Sequence, residues 1–151
     1  MSVAAAHKEI FKKLYQDVWN ERKFEVIKEV ISESHALGDP TISGAAVGPE
    51  AYRKQVDRFL AAFPDLRFMI DDTVSEKDKM VIAWRITGTH EGEFLGVPAT
   101  GKKLTISGIT INEISNGKIL ESAVIWDALG LLQEMGVEMP VKYERRYAVT
   151  R

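Results

Sequence analysis

The sequence contains no cysteine, which excludes disulfide bonds, thiolate nucleophiles and cysteine-bound metals. Long apolar runs are also missing. The longest, Phe59–Phe63 and Met80–Trp84, have five residues each, whereas a membrane-spanning helix needs roughly 18 or more. Charged residues appear near the start of the chain before any apolar stretch of signal-peptide length. We therefore expect a cytoplasmic protein that does not cross a membrane.

An excess of charge of one sign is missing as well. Lys and Arg together number 20 and Asp and Glu 22, which gives a formal net charge of −2. Proteins that bind nucleic acids normally carry a basic excess. The histidines His7, His35 and His90 are too far apart for the usual spacing of metal ligands, and no glycine-rich phosphate loop is present. We expect no nucleic-acid partner, no metal and no cofactor.

The rest of the composition is that of one ordinary globular domain. The chain has 151 residues, of which 45% are hydrophobic and 28% are charged. A chain of this length can bury a core of its own. We predict a single domain over residues 1–136, followed by a C-terminal extension over residues 137–151.

Helices are predicted in the first half of the chain. Apolar residues recur at helical spacing over residues 10–19 and 24–31. The segment Ser32–Gly48 is rich in Gly, Ser and Asp and is predicted to be a loop. A third helix begins at residues 48–50, where proline takes the first helical position, and stops at Pro64. The apolar stripes of the first and third helices include Tyr15 and Tyr52.

Strands are predicted in the second half. Runs of β-forming residues cover Phe68–Val74, Met80–His90, Lys102–Ile114 and Ile119–Trp126. Asn116-Gly117 is a strong hairpin-turn signal between the last two runs. A short helix over residues 128–135 follows the last strand.

Helices followed by hairpin-connected strands predict an α+β fold. Within Lys102–Ile114 the apolar residues change parity around Gly108, which predicts a β-bulge or a bend there. Long, bent antiparallel strands curl a sheet into a cone, and N-terminal helices would cover its concave side. Such an arrangement leaves an apolar pocket between sheet and helices.

Several stretches of the sequence together point to a known family. They are GPEAYRKQV (48–56), FPDLRF (63–68), GTHEGEFLGVPATGKKLTISGI (88–109), NGKI (116–119) and WDALGLLQEMG (126–136). With these stretches the chain resembles the SnoaL-like polyketide cyclase (ester cyclase) family, within the nuclear-transport-factor-like superfamily. The resemblance implies a cone-shaped α+β barrel and a homodimer formed through the outer sheet face. It also implies a cofactor-independent aldol closure of the last ring of an aromatic polyketide methyl ester.

The residues that carry this chemistry in the family are replaced here. The resemblance aligns the acid/base aspartate of the family with Val124 and its assisting histidine with Ser122. Another pocket histidine aligns with Thr110. Valine can neither accept nor donate a proton, so the usual cyclase apparatus is absent. We predict these three side chains as part of a ligand pocket.

Two other titratable residues are candidates for a proton carrier. Asp127 precedes the short C-terminal helix, so it is either the N-cap of that helix or a general base at the mouth of the pocket. His90 ends a strand, so it is either a hydrogen-bonded structural residue or an acid/base group, since histidine titrates near neutrality.

The remaining candidates are pocket residues. His35 and Asp39 lie in the predicted loop that would overhang the pocket, although Asp39 before a proline is also typical of a turn. Trp84 and Trp126 either line a pocket for a flat ligand or simply fill the core.

Two functions stay open from the sequence. One is an enzyme that binds a small hydrophobic carbonyl compound, polycyclic ones included, and catalyses aldol cyclisation, isomerisation or dehydration by proton transfer. In that case His90 or Asp127 is the predicted proton carrier. The other is a non-catalytic module that binds a small molecule or a protein on the same fold.

Overall fold

Helices occupy the first part of the chain, as the spacing of its apolar residues predicts. The computed structural model describes residues 2–44 and 46–140. Its helical elements are α1 (Val3–Phe11), a π-helical segment that continues it (Lys12–Asn20), a 3₁₀ turn (Phe24–Val26), α2 (Ile27–Val30), α3 (Gly48–Ala62) and α4 (Ala128–Glu134). α3 begins with Pro49 in its first turn and ends just before Pro64, as predicted.

One strongly curled sheet accounts for the rest of the fold. Its strands are β1 (Ile31–Gly38), β2 (Ala46–Val47), β3 (Arg67–Glu76), β4 (Lys79–Thr89), β5 (Lys103–Ser115) and β6 (Lys118–Trp126). Their order is β2-β1-β6-β5-β4-β3. All neighbours are antiparallel except β1 and β6, which are parallel, so the sheet is mixed and open. The predicted α+β fold is confirmed.

The predicted loop over Ser32–Gly48 is wrong, because this segment contains β1 and β2. Its sequence ISESHALG is too polar to show the alternation typical of a strand. The strand forms because its backbone pairs with β2 on one side and with β6 on the other, where Leu37 lies opposite Ser122. This pairing partner is distant in the sequence, so local patterns do not reveal it.

The predicted bulge at Gly108 is also wrong. The pairing of β5 with both neighbouring strands continues through this glycine without a register shift. The register shifts of the sheet lie elsewhere, between Ile31 and Ala36, between Ile70 and Asp72 and between Glu113 and Ile114. Side chains therefore keep alternating between the two faces along β5, and the apolar side chains move from one face to the other at Gly108.

Close packing explains why residue 108 is a glycine. A Cβ atom there would lie 2.4 Å from Cζ2 of Trp84 and 2.8 Å from Cβ of Trp126. Glycine therefore leaves room for two tryptophans against the inner face of the sheet.

The turn between β5 and β6 follows the sequence signal. Asn116 and Gly117 both have positive φ angles, 52° and 73°, as a two-residue hairpin turn of type I′ requires. The hairpin and the register shift between Glu113 and Ile114 together place Thr110 opposite Val124 and Asn112 opposite Ser122.

The core lies between the helices and the concave face of the sheet. The opposite face leaves apolar side chains exposed, among them Ile109, Ile125 and Val74. Among residues 2–44 and 46–140, no helix is long and apolar enough to span a bilayer. Of the predicted C-terminal extension, residues 141–151 lie outside the described residues.

Candidate functional site

A cavity opens between the concave face of the sheet and the helices. It encloses about 480 Å³ of space, counting its opening to solvent. It is lined by Tyr15, Trp19, Leu37, Asp39, Tyr52, Gln55, Phe59, Phe68, Trp84, Ile86, Thr110, Ser122, Val124 and Trp126. We call this space the inner cavity. Its wall is mostly aromatic and aliphatic, with a few polar groups.

Most of the pocket residues singled out from the sequence lie together in this wall. They are Asp39, Trp84, Thr110, Ser122, Val124 and Trp126. His35 lies directly behind the wall, fully buried on β1, with its Nε2 2.9 Å from Oγ of Ser122. His90 and Asp127 are not among the lining residues.

Asp39 is the carboxylate of the inner cavity, and it follows the last residue of β1. Its Oδ1 accepts hydrogen bonds from the backbone N–H of Thr41 (2.7 Å) and from Oγ1 of Thr41 (2.6 Å), which closes the turn at Pro40. Its Oδ2 accepts from Nε2 of Gln55 (3.0 Å) and from the indole Nε1 of Trp126 (3.1 Å). Asp39 is therefore a turn former and a cavity residue at once.

Arg58 holds the partners of Asp39 in place. Its guanidinium donates to Oγ1 of Thr41 (3.0 Å) and to Oε1 of Gln55 (3.3 Å). The same group lies over the ring of Phe94, 4.9 Å from its centroid. Neutral donors therefore orient the carboxylate of Asp39, and the guanidinium of Arg58 holds two of these donors by hydrogen bonds.

Three hydroxyl groups of the cavity wall share one arrangement, in which an N–H group donates to the hydroxyl oxygen. Nε1 of Trp19 donates to Oη of Tyr52 (2.9 Å) and Nε1 of Trp84 donates to Oγ1 of Thr110 (2.9 Å). In the same way Nδ2 of Asn112 donates to Oη of Tyr15 (3.1 Å). The hydrogen of each hydroxyl is left for another acceptor.

Both phenols stay protonated over the physiological range. Burial raises the pKa of Tyr15, although the amide of Asn112 opposes part of that rise. Burial also raises the pKa of Tyr52 well above its ordinary value. The two phenols therefore keep their hydrogens and can donate hydrogen bonds.

His35 continues the polar contacts behind the wall. Its Nε2 contacts Ser122, and Oγ of Ser122 donates to Oδ1 of Asn112 at 2.7 Å. Burial lowers the pKa of His35 to about 4, so the imidazole is neutral at physiological pH.

The structure places the other two titratable candidates in local structural contacts. His90 is fully buried, with Nδ1 2.9 Å from Oγ1 of Thr100 and its ring against Phe63. Asp127 accepts from the backbone N–H of Gly130 at 2.8 Å and so caps α4. Neither side chain reaches the wall of the inner cavity.

Four polar residues of the site are not predicted from the sequence: Tyr15, Tyr52, Gln55 and Asn112. The tyrosines had been assigned to apolar helix stripes, where their hydroxyls carry no pattern of their own. Asn112 had a detectable signal, because strict alternation along β5 puts it on the same face as Thr110. Gln55 had none, because its role depends on where Asp39 lies in the folded chain.

Comparison with known proteins agrees with this architecture. The family model described as SnoaL-like polyketide cyclase matches residues 9–135. A polyketide-cyclase candidate from Acidithiobacillus ferrooxidans is 29% identical, with a TM-score of 0.79 over 90% of this chain and 98% of that one. IdmH from Streptomyces antibioticus, also a polyketide-cyclase candidate, is 25% identical, with a TM-score of 0.72 over 86% of this chain and 98% of that one.

A third structure supports the fold alone. TsrD from Streptomyces laurentii is 24% identical, with a TM-score of 0.80 over 90% of this chain and 98% of that one. No curated protein sequence matches the chain.

Proposed function

The chain belongs to the SnoaL-like polyketide cyclase family, and we propose that it binds a small hydrophobic carbonyl compound and transfers a proton on it without a cofactor. One observation carries this proposal. The carboxylate of Asp39 lines the same aromatic cavity as the phenols of Tyr15 and Tyr52. A base and hydrogen-bond donors in one apolar cavity are the groups that enolisation of a ketone requires.

The division of labour follows from the chemistry of each group. The phenols donate to the carbonyl oxygen and stabilise the negative charge that develops there as the adjacent C–H bond breaks. Asp39 is the group that accepts that proton. Aldol closure, isomerisation and dehydration all include such a step, so the substrate decides which reaction follows.

The proposed base lies at a different position from the one that the family alignment implies. Val124, on β6, occupies the position of the family aspartate and cannot transfer a proton. In the parallel pairing of β1 with β6, Gly38 lies opposite Ala123, so Asp39 follows at the level of Val124 on the neighbouring strand. This register supports the assignment of Asp39 as the proton carrier in place of His90 and Asp127.

Deuterium exchange tests the proposal without knowledge of the natural substrate. A polycyclic ketone with an acidic α-hydrogen, such as 1-tetralone, is incubated with the protein in D₂O, and the incorporation of deuterium is followed by mass spectrometry. We expect the protein to accelerate exchange and Asp39→Asn to lower the rate by roughly 10²–10⁴-fold, the usual contribution of a general base.

Asp127→Asn is the matched control, because it makes the same chemical change at a helix cap outside the cavity. Loss of exchange in the control but not in Asp39→Asn would overturn the assignment of the base. Ligand binding without any exchange would favour the second candidate, a non-catalytic binding module. One observation favours that alternative: both oxygens of Asp39 already accept hydrogen bonds from the protein.

We also propose a homodimer in which a second copy covers the outer face of the sheet. Ile109 and Ile125 are directly paired across β5 and β6 and are 52% and 71% exposed. Val74 and Ile111 extend this apolar area, with exposures of 62% and 45%. Contiguous exposed apolar side chains of this kind mark a surface that another protein covers.

A further inference from the structure

Four buried polar side chains form a continuous hydrogen-bond chain from β1 to the inner cavity. Nε2 of His35 lies 2.9 Å from Oγ of Ser122, which lies 2.7 Å from Oδ1 of Asn112. Nδ2 of Asn112 lies 3.1 Å from Oη of Tyr15. The exposure of the four side chains is 5% or less. We call this set the buried chain.

The chemistry of the amide fixes the direction of every bond in the buried chain. The NH₂ group of Asn112 can only donate, so Oη of Tyr15 is an acceptor in that contact. The amide oxygen of Asn112 can only accept, so it takes the single hydroxyl hydrogen of Ser122. Toward His35, Oγ of Ser122 is therefore an acceptor, and the hydrogen of the neutral imidazole is on Nε2.

The far end of the buried chain agrees with this direction. With its hydrogen on Nε2, the imidazole of His35 has a lone pair on Nδ1, and that atom is buried without a hydrogen-bond partner in the described part of the chain. The ring edge packs against Tyr52, with centroids 5.8 Å apart. The polar contacts of His35 are thus directed to Ser122 alone.

At the other end of the buried chain, the hydroxyl hydrogen of Tyr15 has no acceptor among the described residues. Because Oη of Tyr15 accepts from Asn112, its own hydrogen needs an acceptor elsewhere, and within the described residues no protein group supplies one. Tyr15 lines the inner cavity, so that hydrogen is available to a ligand. Successive bonds that all run in one direction polarise each other and strengthen the last donor.

We infer that the buried chain makes the Tyr15 end of the inner cavity a subsite for an oxygen that carries no hydrogen, such as a ketone or quinone carbonyl. His35, Ser122 and Asn112 are positioning residues for Tyr15 and do not touch the ligand through this contact. The inference rests on the proposed function and deepens it, since it states which end of the ligand lies where. A ligand without an acceptor leaves the buried phenol unpaired, which is the basis of strong discrimination in binding sites.

A ketone and a hydrocarbon of the same shape test this inference without any turnover. The probes are fluorenone and fluorene, whose dissociation constants are measured for the wild-type protein and for each variant by calorimetry. The infrared carbonyl stretching frequency of bound fluorenone is recorded as well, because hydrogen bonding to the oxygen lowers it.

We expect Tyr15→Phe to reduce the preference for fluorenone over fluorene by about three- to tenfold, which corresponds to one hydrogen bond, and to raise the carbonyl frequency. Ser122→Ala and His35→Leu are expected to raise the frequency part of the way, because they interrupt the buried chain. His35→Gln is the conservative rescue, since its amide N–H can still donate to Ser122. It should restore the wild-type frequency.

Ser34→Ala is the matched control for Ser122→Ala, because it makes the same change at an exposed position of β1 outside the buried chain. An unchanged frequency in Tyr15→Phe, or an equal change in Ser34→Ala and Ser122→Ala, would overturn the inference while leaving the proposed pocket intact. Failure of the wild-type protein to bind either probe would overturn both. If Tyr15→Phe does not fold, as judged by circular dichroism, Ser122→Ala and His35→Gln still decide between the outcomes.

Discussion

On β5 and β6, polar residues lie on the inner face and apolar residues on the outer face, which is the reverse of the usual arrangement in an antiparallel pair. The inner face, turned toward the helices, carries Thr110, Asn112 and Ser122, all buried. The outer face carries Ile109 and Ile125, which are 52% and 71% exposed. Pairing is regular across these positions, so the reversal is not caused by a slip in register. This reversal supports the two proposals made above, a ligand site on the concave face and a second copy on the convex face.

The inner face can be tested first through its neutral histidine, where we expect the largest effect on stability. Burial lowers the pKa of His35 from 6.5 to about 4, so the unfolded chain binds a proton more readily than the folded one. The contribution to stability is fully present above pH 6.5 and is lost as the pH falls toward 4, by about 3 kcal/mol.

Urea unfolding of the wild-type protein and of His35→Gln between pH 4 and pH 7.5 measures this effect. The difference between the two free energies of unfolding should change across that window, because the other titrating groups are common to both proteins. A constant difference would contradict the assignment of His35 as a neutral buried group.

Gly108, two residues before Thr110 on β5, gives the second prediction. Gly108→Ala places a methyl group 2.4 Å from Trp84, so an indole that lines the cavity has to move. We expect a loss of about 1–3 kcal/mol in the free energy of unfolding, with weaker binding of any ligand of the inner cavity. Thermal and urea unfolding measure the loss.

Ser107→Ala is the control, since it adds no atom and lies next to Gly108 on the opposite face of β5. Its effect should stay within about 0.5 kcal/mol. Equal effects of the two substitutions would mean that contact with Trp84 does not determine the choice of glycine.

A substitution on the outer face is expected to change the oligomeric state and to have the smallest effect on stability. Ile125→Lys puts a charge in the middle of the exposed apolar area, so the proposed dimer should dissociate into single copies in sedimentation experiments. The free energy of unfolding of the single copy should change by about 0.5 kcal/mol or less. Val3→Lys, at another exposed apolar position, should leave the assembly unchanged. A wild-type protein that sediments as a single copy would contradict the proposed homodimer.

The spacing of apolar residues was sufficient to predict the helices and four of the strands. It failed for β1, because a polar strand depends on pairing with β6 and not on its own sequence. It also misled at Gly108, where a change in the face of the isoleucines was interpreted as a bulge. The physical reason is that periodicity reports where apolar residues lie, whereas a sheet that lines a cavity puts polar residues inside.

The candidate site was predictable to the extent that strand alternation and family resemblance determine it. They pointed to Thr110, Ser122, Val124 and the tryptophans, which the structure places in one wall. They could not show that Tyr15 lines the cavity, because a tyrosine in a helix stripe looks like a core residue. They also could not distinguish Asp39 from Asp127. Asp39 follows a strand and Asp127 precedes a helix, and only the folded structure shows that Asp39 lines the cavity.

The parallel pairing of β1 with β6 also bears on how the protein is made. The contacts of His35 with Ser122 and of Asp39 with Trp126 each join residues 87 positions apart. Pairings over such distances form late, because the intervening chain must first be closed into a loop. A nascent chain that has emerged from the ribosome only as far as β5 contains α1–α3 and β1–β5 but lacks the strand that both contacts require. The inner cavity, whose wall includes Ser122, Val124 and Trp126, is therefore completed only when β6 joins the sheet.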